Sequence, residues 1–230
     1  MIVYGKNVFK ETINSDKEIK TIYLSNNFDD KGILEDIANN NIRVIQMDKR
    51  EMDRKFEGNH QGIVLEIEDF KYKSLKEILD KNFVVMLDHL EDPHNLGAII
   101  RTAESAGVDA IIIPNKRSVS ITGTVMKVSA GALSNIDVVE VSNLANAIDT
   151  LKDNGFWVYS SCMDGEDYTK VKYDSKTCLI IGNEGAGVSK LVKDKSDFII
   201  GIPMKGKVNS LNASVAAGIL IYEVVKQKGE

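Results

Sequence analysis

The chain has 230 residues, 43% of them hydrophobic and 27% charged, with 17 glycines, 3 prolines and 2 cysteines. That composition supports a packed core and excludes a disordered chain. It also excludes a disulfide framework and, with three histidines and no CxxC pair, a structural zinc site. A net charge of −5 argues against nucleic-acid binding through a uniformly basic surface, but leaves room for a local basic patch.

The N-terminus is charged within six residues and lacks the long apolar core of a signal peptide. No run approaches the roughly 18 apolar residues that a membrane-spanning helix needs. The expectation is a soluble, cytoplasmic protein.

Over residues 1–70 short apolar runs alternate with polar helical patches. Thr21–Ser25, Ile42–Gln46 and Gly62–Ile67 are rich in β-branched residues and read as strands. Between the first two, Ile33, Leu34, Ile37 and Ala38 recur at helical spacing, with Asp29 or Asp30 available as a cap. This predicts a small α/β domain. The lysine-rich stretch 71–81 reads as a partly helical linker.

From residue 82 the pattern is bolder. Phe83–Leu87 is a continuous apolar run, as expected of a strand buried on both faces. Leu96–Ala106 reads as a small-residue helix stopped at Gly107. Ala110–Ile113, Ile136–Val141, Trp157–Ser160, Thr177–Ile181 and Phe198–Ile202 follow as strands. Asn143 caps a helix over Leu144–Asn154, and a last helix runs from about Asn212 to Lys226. Such alternation predicts a second, mostly parallel α/β sheet over residues 82–230, with ligands bound beyond the carboxyl ends of its strands. The loops to watch are Asp88–Asn95, Gly182–Ser189 and Pro203–Asn212.

Each of these loops carries a candidate motif. In Asp92-Pro-His-Asn-Leu-Gly-Ala-Ile-Ile-Arg101, Asn95 sits at a helix entrance with Arg101 about two turns inside. Both reach one ligand if Asn95 lies in the loop; equally, Asn95 caps the helix and Arg101 makes a surface ion pair. In Ile180-Ile-Gly-Asn-Glu-Gly-Ala-Gly-Val-Ser189, three glycines let the backbone approach a ligand closely. Their spacing is neither the dinucleotide fingerprint nor the P-loop, and Glu184 would repel a phosphate. The third motif runs from Ile202-Pro-Met-Lys-Gly-Lys into Ser210-Leu-Asn212 and the small-residue helix beyond. Here Ser210 or Asn212 serves equally well as a routine helix cap.

The three motifs in this order, N-L-G-A-I-I-R, I-I-G-N-E-G-A-G and I-P-M-x-G-x-V-x-S-L-N-A-S-V-A-A-G, resemble those of the SpoU (TrmH-type) RNA ribose 2′-O-methyltransferases of the SPOUT superfamily. Residues 1–70, with Tyr4-Gly-Lys-Asn7 and His60-Gln-Gly-Ile63, resemble the RNA substrate-binding domain that many members carry. The resemblance implies a SPOUT-type α/β sheet whose C-terminal segment forms a trefoil knot, and a homodimer. It implies S-adenosyl-L-methionine as cofactor, held by Gly182, Ile202 and Leu211. Arg101, Asn95, Glu184, Ser210 and Asn212 would form the catalytic group, with no metal. The partner implied is RNA, not DNA or a membrane: within the family, the nearest type methylates a guanosine ribose of 23S ribosomal RNA.

Other targets within the same chemistry are a transfer RNA or a different ribosomal nucleotide. A non-catalytic RNA-binding protein on the same fold is a further alternative. For RNA contact the sequence offers the Lys49–Lys55 cluster, which reads equally as a solvated amphipathic helix, and Lys116, Arg117, Lys127, Lys205 and Lys207 near predicted loops.

Overall fold

Ile2–Tyr4 forms the first strand, β1, of a computed structural model that describes residues 1–14, 18–56, 59–183, 185–207 and 210–229. The chain divides into two units: Met1–Lys71 with Ile121–Lys127, and Tyr72–Ser120 with the chain from Val128 onward. Among the described residues no helix is long and apolar enough to cross a membrane.

In the first unit β1 is followed by α1 (Lys6–Ile13), β2 (Ile19–Ser25), α2 (Lys31–Asn39), β3 (Val44–Met47), α3 (Lys49–Lys55) and β4 (Ile63–Ile67). The sheet order is β1-β4-β2-β3, with β2 and β3 parallel and β4 antiparallel to both its neighbours. Alternation along the strands sends Val3, Ile22, Leu24, Ile63, Leu65 and Ile67 to one face, where Phe9 of α1 and Ile33 and Ile37 of α2 cover them. The opposite face carries Tyr4, Tyr23, Ile45 and Val64, partly covered by Met52 of α3 and Phe56 just after it.

Local signals explain the ends. Asp30 accepts from the Ile33 N–H and caps α2, and Asp48 accepts from Arg50 N–H and caps α3. Gly5, at φ 104, turns β1 into α1, a conformation that favours glycine. The two turns singled out in the sequence interlock: Gly5 N–H donates to the Ile63 carbonyl, and Lys6 N–H donates to Gln61 Oε1, both at 3.1 Å. His60 is held between the Gly62 N–H, which donates to Nδ1, and Asp53, 2.8 Å from Nε2.

The second unit contains β5 (Phe83–Asp88), α4 (Pro93–Ser105), β6 (Ala110–Pro114), then α5 (Gly123–Ser129, grouped mostly with the first unit) and β7 (Asp137–Val141). There follow α6 (Leu144–Asp153), β8 (Trp157–Asp167), β9 (Thr177–Gly182), α7 (Lys190–Lys195), β10 (Phe198–Gly201) and α8 (Ala213–Lys228). Its six-stranded sheet has the order β10-β8-β9-β5-β6-β7, and every pairing is parallel. Val84, Met86, Ile112, Cys178 and Ile180 face Ile148 and Leu151 of α6. The alternate residues Val85, Leu87, Ile111, Leu179 and Ile181 are just as buried on the other side. Each such side chain contributes about 1.5–3 kcal/mol by leaving water. Residues 72–81 belong to this unit: Lys73 bridges to Val139, and Ile78 of the short 3-10 turn Leu75–Ile78 is wholly buried.

Two elements differ from the sequence expectation. Helix α4 begins at Pro93, capped by Asp92, whose carboxylate accepts from His94 N–H. Asn95 therefore lies inside the helix and neither caps it nor sits in the loop. Strand β8 reaches Asp167, well beyond Ser160. Its pairing with β10 jumps from Ser160–Ile199 to Glu166–Ile200, so residues 161–165 leave the ladder and return. This polar excursion lacks the apolar run by which a strand is recognised. Its return depends on two glycines, because a Cβ on Gly165 would be driven into the backbone of Ile200 and Gly201.

Candidate active site

Chain order reverses between β5 and β9: β5 leads on to β6 and β7 at one edge, β9 to β10 at the other. A crevice beyond the carboxyl ends of two such strands is where open α/β sheets bind ligands. Asp88 and Gly182, the last residues of these strands, are register partners.

The loop after Gly182 is fastened to the loop after Asp88. Asp88 is 1% exposed, and its Oδ2 accepts from Ser189 N–H at 2.6 Å. Its other oxygen meets His89 Nδ1. Asn183 donates from Nδ2 to the His89 carbonyl (2.8 Å), while its Oδ1 accepts from Gly185 N–H (2.8 Å) and Ala186 N–H (3.2 Å). His89 itself sits at φ 56, a conformation that costs a non-glycine residue on the order of 1–3 kcal/mol and persists only when its surroundings impose it. Gly182 packs so tightly on Gly187 and Val188 that no Cβ fits.

The loop after Gly182, through Asn183 and residues 185–188, walls a cavity of about 470 Å³ together with residues 161–164, Gly201, Ile202, Met204 and the first half of α8. Such a volume suits a small-molecule ligand. Gly182, Ile202 and Leu211, the expected cofactor residues, all line it, as does Ser210. Sequence reasoning missed the contribution of Cys162, Met163, Asp164 and Lys193, because the 161–165 excursion is polar and Lys193 lies on the short helix α7. Asn183 and Asp88 were visible within the motif and at the strand end, but nothing in the sequence tied them together.

Asn95, Arg101 and Asn212 do not line the cavity. Asn212 is the N-cap of α8: its Oδ1 accepts from Ser214 N–H (2.9 Å) and Ser214 Oγ–H (2.6 Å). That fixes the amide so that Nδ2 points away from the cap, and it donates to Oδ1 of buried Asn95 at 3.0 Å. Arg101 follows Asn95 by six residues, which at 3.6 per turn puts it about 120° round the helix. It is exposed, and among the described residues its guanidinium makes no ion pair or hydrogen bond. The surface ion pair is therefore absent within that set. Glu184 lies outside the described residues.

The wall is unsuited to phosphate. Its one lysine among the described residues, Lys193, is held by Asp164 at 2.9 and 3.0 Å. Burial pushes the Cys162 thiol up, keeping it uncharged at neutral pH. Glycine backbone, Ile202 and Leu211 instead offer peptide groups and apolar surface, which fit an adenine ring and a cationic sulfonium.

Comparison with known proteins shows the family. Residues 82–222 match the SpoU rRNA Methylase family, and residues 2–73 match the domain described as RNA 2′-O ribose methyltransferase substrate binding. The chain belongs to the SpoU family of RNA methyltransferases. Among its relatives is a candidate TrmH family tRNA/rRNA methyltransferase of Staphylococcus epidermidis, 41% identical over 99% of this chain and 96% of that protein. The like-named YacO of Bacillus subtilis is 39% identical over 98% and 95%. The fold is shared with the SpoU methyltransferase AviRb from Streptomyces viridochromogenes, solved in complex with AdoMet. Its TM-score is 0.79 at 23% identity, over 99% of this chain and 90% of that one. The TrmH/SpoU tRNA modifying enzyme from A. aeolicus aligns with TM-score 0.60 at 30% identity, over 67% of this chain and 81% of that one.

Proposed function

We propose that this SpoU-family chain transfers a methyl group from S-adenosylmethionine to the ribose 2′-hydroxyl of a guanosine in 23S ribosomal RNA. This makes it an RlmB-type enzyme, working in the cytoplasm as a homodimer. The observation that carries the reading is the cavity beside the ends of β9 and β10, into which Gly182 converges from the loop after β9 and Ile202, Ser210 and Leu211 from the segment between β10 and α8.

When bound, S-adenosylmethionine supplies a methyl group already activated on a sulfonium sulfur. The chain's part is to align the acceptor and manage its proton. Gly182, Ile202 and Leu211 hold the cofactor through main-chain groups and apolar contact. A guanidinium offers five N–H donors and no acceptor, so Arg101 serves as a donor and not as the base. An exposed guanidinium, without a partner among the described residues, is available to grip a phosphate and to stabilise negative charge growing on the 2′-oxygen. The proton then leaves through a phosphate oxygen or water. Asn95 and Asn212 orient groups around it, with Ser210 at the cavity edge and Glu184 completing the set.

Two further parts of the reading concern the last segment. The stretch from β10 to α8 is taken as the threaded part of a trefoil knot. Helix α8 leaves Val215 and Tyr222 about half exposed, and a homodimer contact there would cover them. A transfer RNA substrate is the second reading, favoured because the relatives' names leave tRNA and rRNA side by side.

The test is transfer of labelled methyl from S-adenosylmethionine to large-subunit ribosomal RNA and, separately, to bulk transfer RNA, with 2′-O-methylation mapped by resistance to alkaline cleavage. Label at one guanosine ribose of 23S RNA is expected. Label in transfer RNA alone overturns the substrate, and no label in either, with cofactor bound, returns the chain to RNA binding without catalysis.

A further inference from the structure

The first unit has a second cavity, of about 360 Å³, on the sheet face that α3 covers only in part; it is lined by Ile2, Tyr4, Tyr23, Lys55, Phe56 and Glu66. Strand alternation and register put Ile2, Tyr4, Tyr23 and Glu66 on the same face: Ile2 opposes Glu66 on β4, and Val64 stands between Tyr4 and Tyr23. The Tyr23 and Phe56 rings lie 5.0 Å apart, with Lys55 Nζ 4.5 Å over Tyr23 and 5.3 Å over Phe56. Glu66 accepts the Tyr23 hydroxyl on one oxygen at 3.3 Å, and its other oxygen has no partner among the described residues. Arg54 and Arg43 are exposed nearby in sequence and strand, on α3 and beside β3.

We infer that this groove binds one unpaired base of the RNA strand, with guanine preferred. The inference rests on RNA being the substrate. Aromatic rings at a groove beside cations are how proteins grip single strands: the ring takes the face of the base and the cations take the phosphates. The ammonium over Tyr23 disfavours an arginine or lysine from a protein partner and favours a nucleotide, which brings its own negative charge. Glu66 supplies the choice of base. A carboxylate only accepts, and guanine alone presents two adjacent donors, N1–H and the N2 amino group, on its Watson–Crick edge. Uracil offers one N–H flanked by two carbonyls that the carboxylate repels.

The test is equilibrium binding of the full chain, followed by fluorescence anisotropy, to a labelled uridine-only RNA and to the same strand with one central guanosine. The guanosine strand is expected to bind about tenfold tighter. Glu66→Gln, nearly isosteric and at a partly buried position, should erase that difference while leaving the uridine strand unchanged. Tyr23→Leu should weaken the guanosine strand by about tenfold, and Lys55→Ala should weaken both strands alike. Equal affinity of the unaltered chain for the two strands, no binding of either, or an unchanged preference in Glu66→Gln overturns the proposal. So does concentration-dependent self-association that Tyr23→Leu abolishes, which would make the groove an interface between copies. Cofactor binding and methyl transfer are measured apart from these, so an inactive chain that still selects guanosine would sink the catalytic reading and leave this one standing.

Discussion

Asn212 donates a hydrogen bond to Asn95 across 117 residues of sequence, at 3.0 Å, and with its other amide atom caps the helix that follows it. One side chain thus fixes where α8 begins and ties that point to the first turn of α4. The motif after β5 and the motif after β10 are thus joined by a bond that lies outside the cavity wall.

That bond should be measurable as a coupling. Asn212→Ala removes a cap, worth about 1 kcal/mol, and one partner of a buried amide, worth about 1–3 kcal/mol. Asn212→Ser retains a capping oxygen and loses only the bridge, so it should recover part of the loss. In a double-mutant cycle with Asn95→Ala, followed by urea denaturation, an interaction of about 1 kcal/mol is expected. Strict additivity would show that the bridge contributes nothing to stability.

Two neighbouring glycines should respond very differently to one methyl group. A Cβ at Gly182 collides with the backbone of Gly187 and Val188, whereas at Gly185 it meets only Asn183 Oδ1, at 3.6 Å, in a conformation open to alanine. Gly182→Ala must therefore push apart the loop that Asn183 and Asp88 hold closed, and cofactor affinity should fall by at least about tenfold, or 1.4 kcal/mol. Gly185→Ala should stay within about twofold. Isothermal titration with S-adenosylmethionine decides it: equal behaviour of the two variants would remove Gly182 from the cofactor site.

What the sequence made legible follows from which forces are local. Continuous apolar runs such as Phe83–Leu87 announce strands buried on both faces, and Asp30 and Asn143 announce helix starts, because burial and capping act within a few residues. The 161–165 excursion carries no such signal, since what holds it is the glycine backbone of Gly165 against Ile200 and Gly201 from a distant strand. Asn95 illustrates the same limit. Asparagine near a helix start reads as a cap, but Asp92 precedes Pro93, and proline at the first helical position moves the start forward by three residues. The partner that gives Asn95 its place lies at the far end of the chain.

Stability should fall in alkali in a way that one buried thiol explains. Complete burial holds the Cys178 thiol far above its ordinary value near 9, and burial likewise raises the Tyr173 hydroxyl. In the unfolded chain the thiol ionises around pH 9, while in the folded chain it stays protonated. The contribution is therefore fully present below pH 9 and is lost as pH rises beyond it. Urea midpoints measured between pH 7 and 10 should decline above pH 9, and Cys178→Ala, though less stable at pH 7, should show a shallower decline. An unchanged slope in that variant would assign the alkaline loss elsewhere.

Arg101 offers the sharpest division between binding and chemistry. Its side chain stands about a third of a turn round α4 from buried Asn95, exposed and unpaired among the described residues, and off the cavity wall. Nothing in that placement couples it to cofactor affinity. Lysine keeps the charge but not the planar fork that engages a phosphate and an adjacent oxygen together. Arg101→Lys should thus lower kcat by about 10²–10³, the usual cost of a donor that stabilises developing negative charge, and leave the cofactor Kd within about twofold. Steady-state methyl transfer and calorimetric titration on the same preparation separate the two. Weakened cofactor binding with kcat retained would move Arg101 out of the reaction and into the cofactor pocket, against its position on the helix.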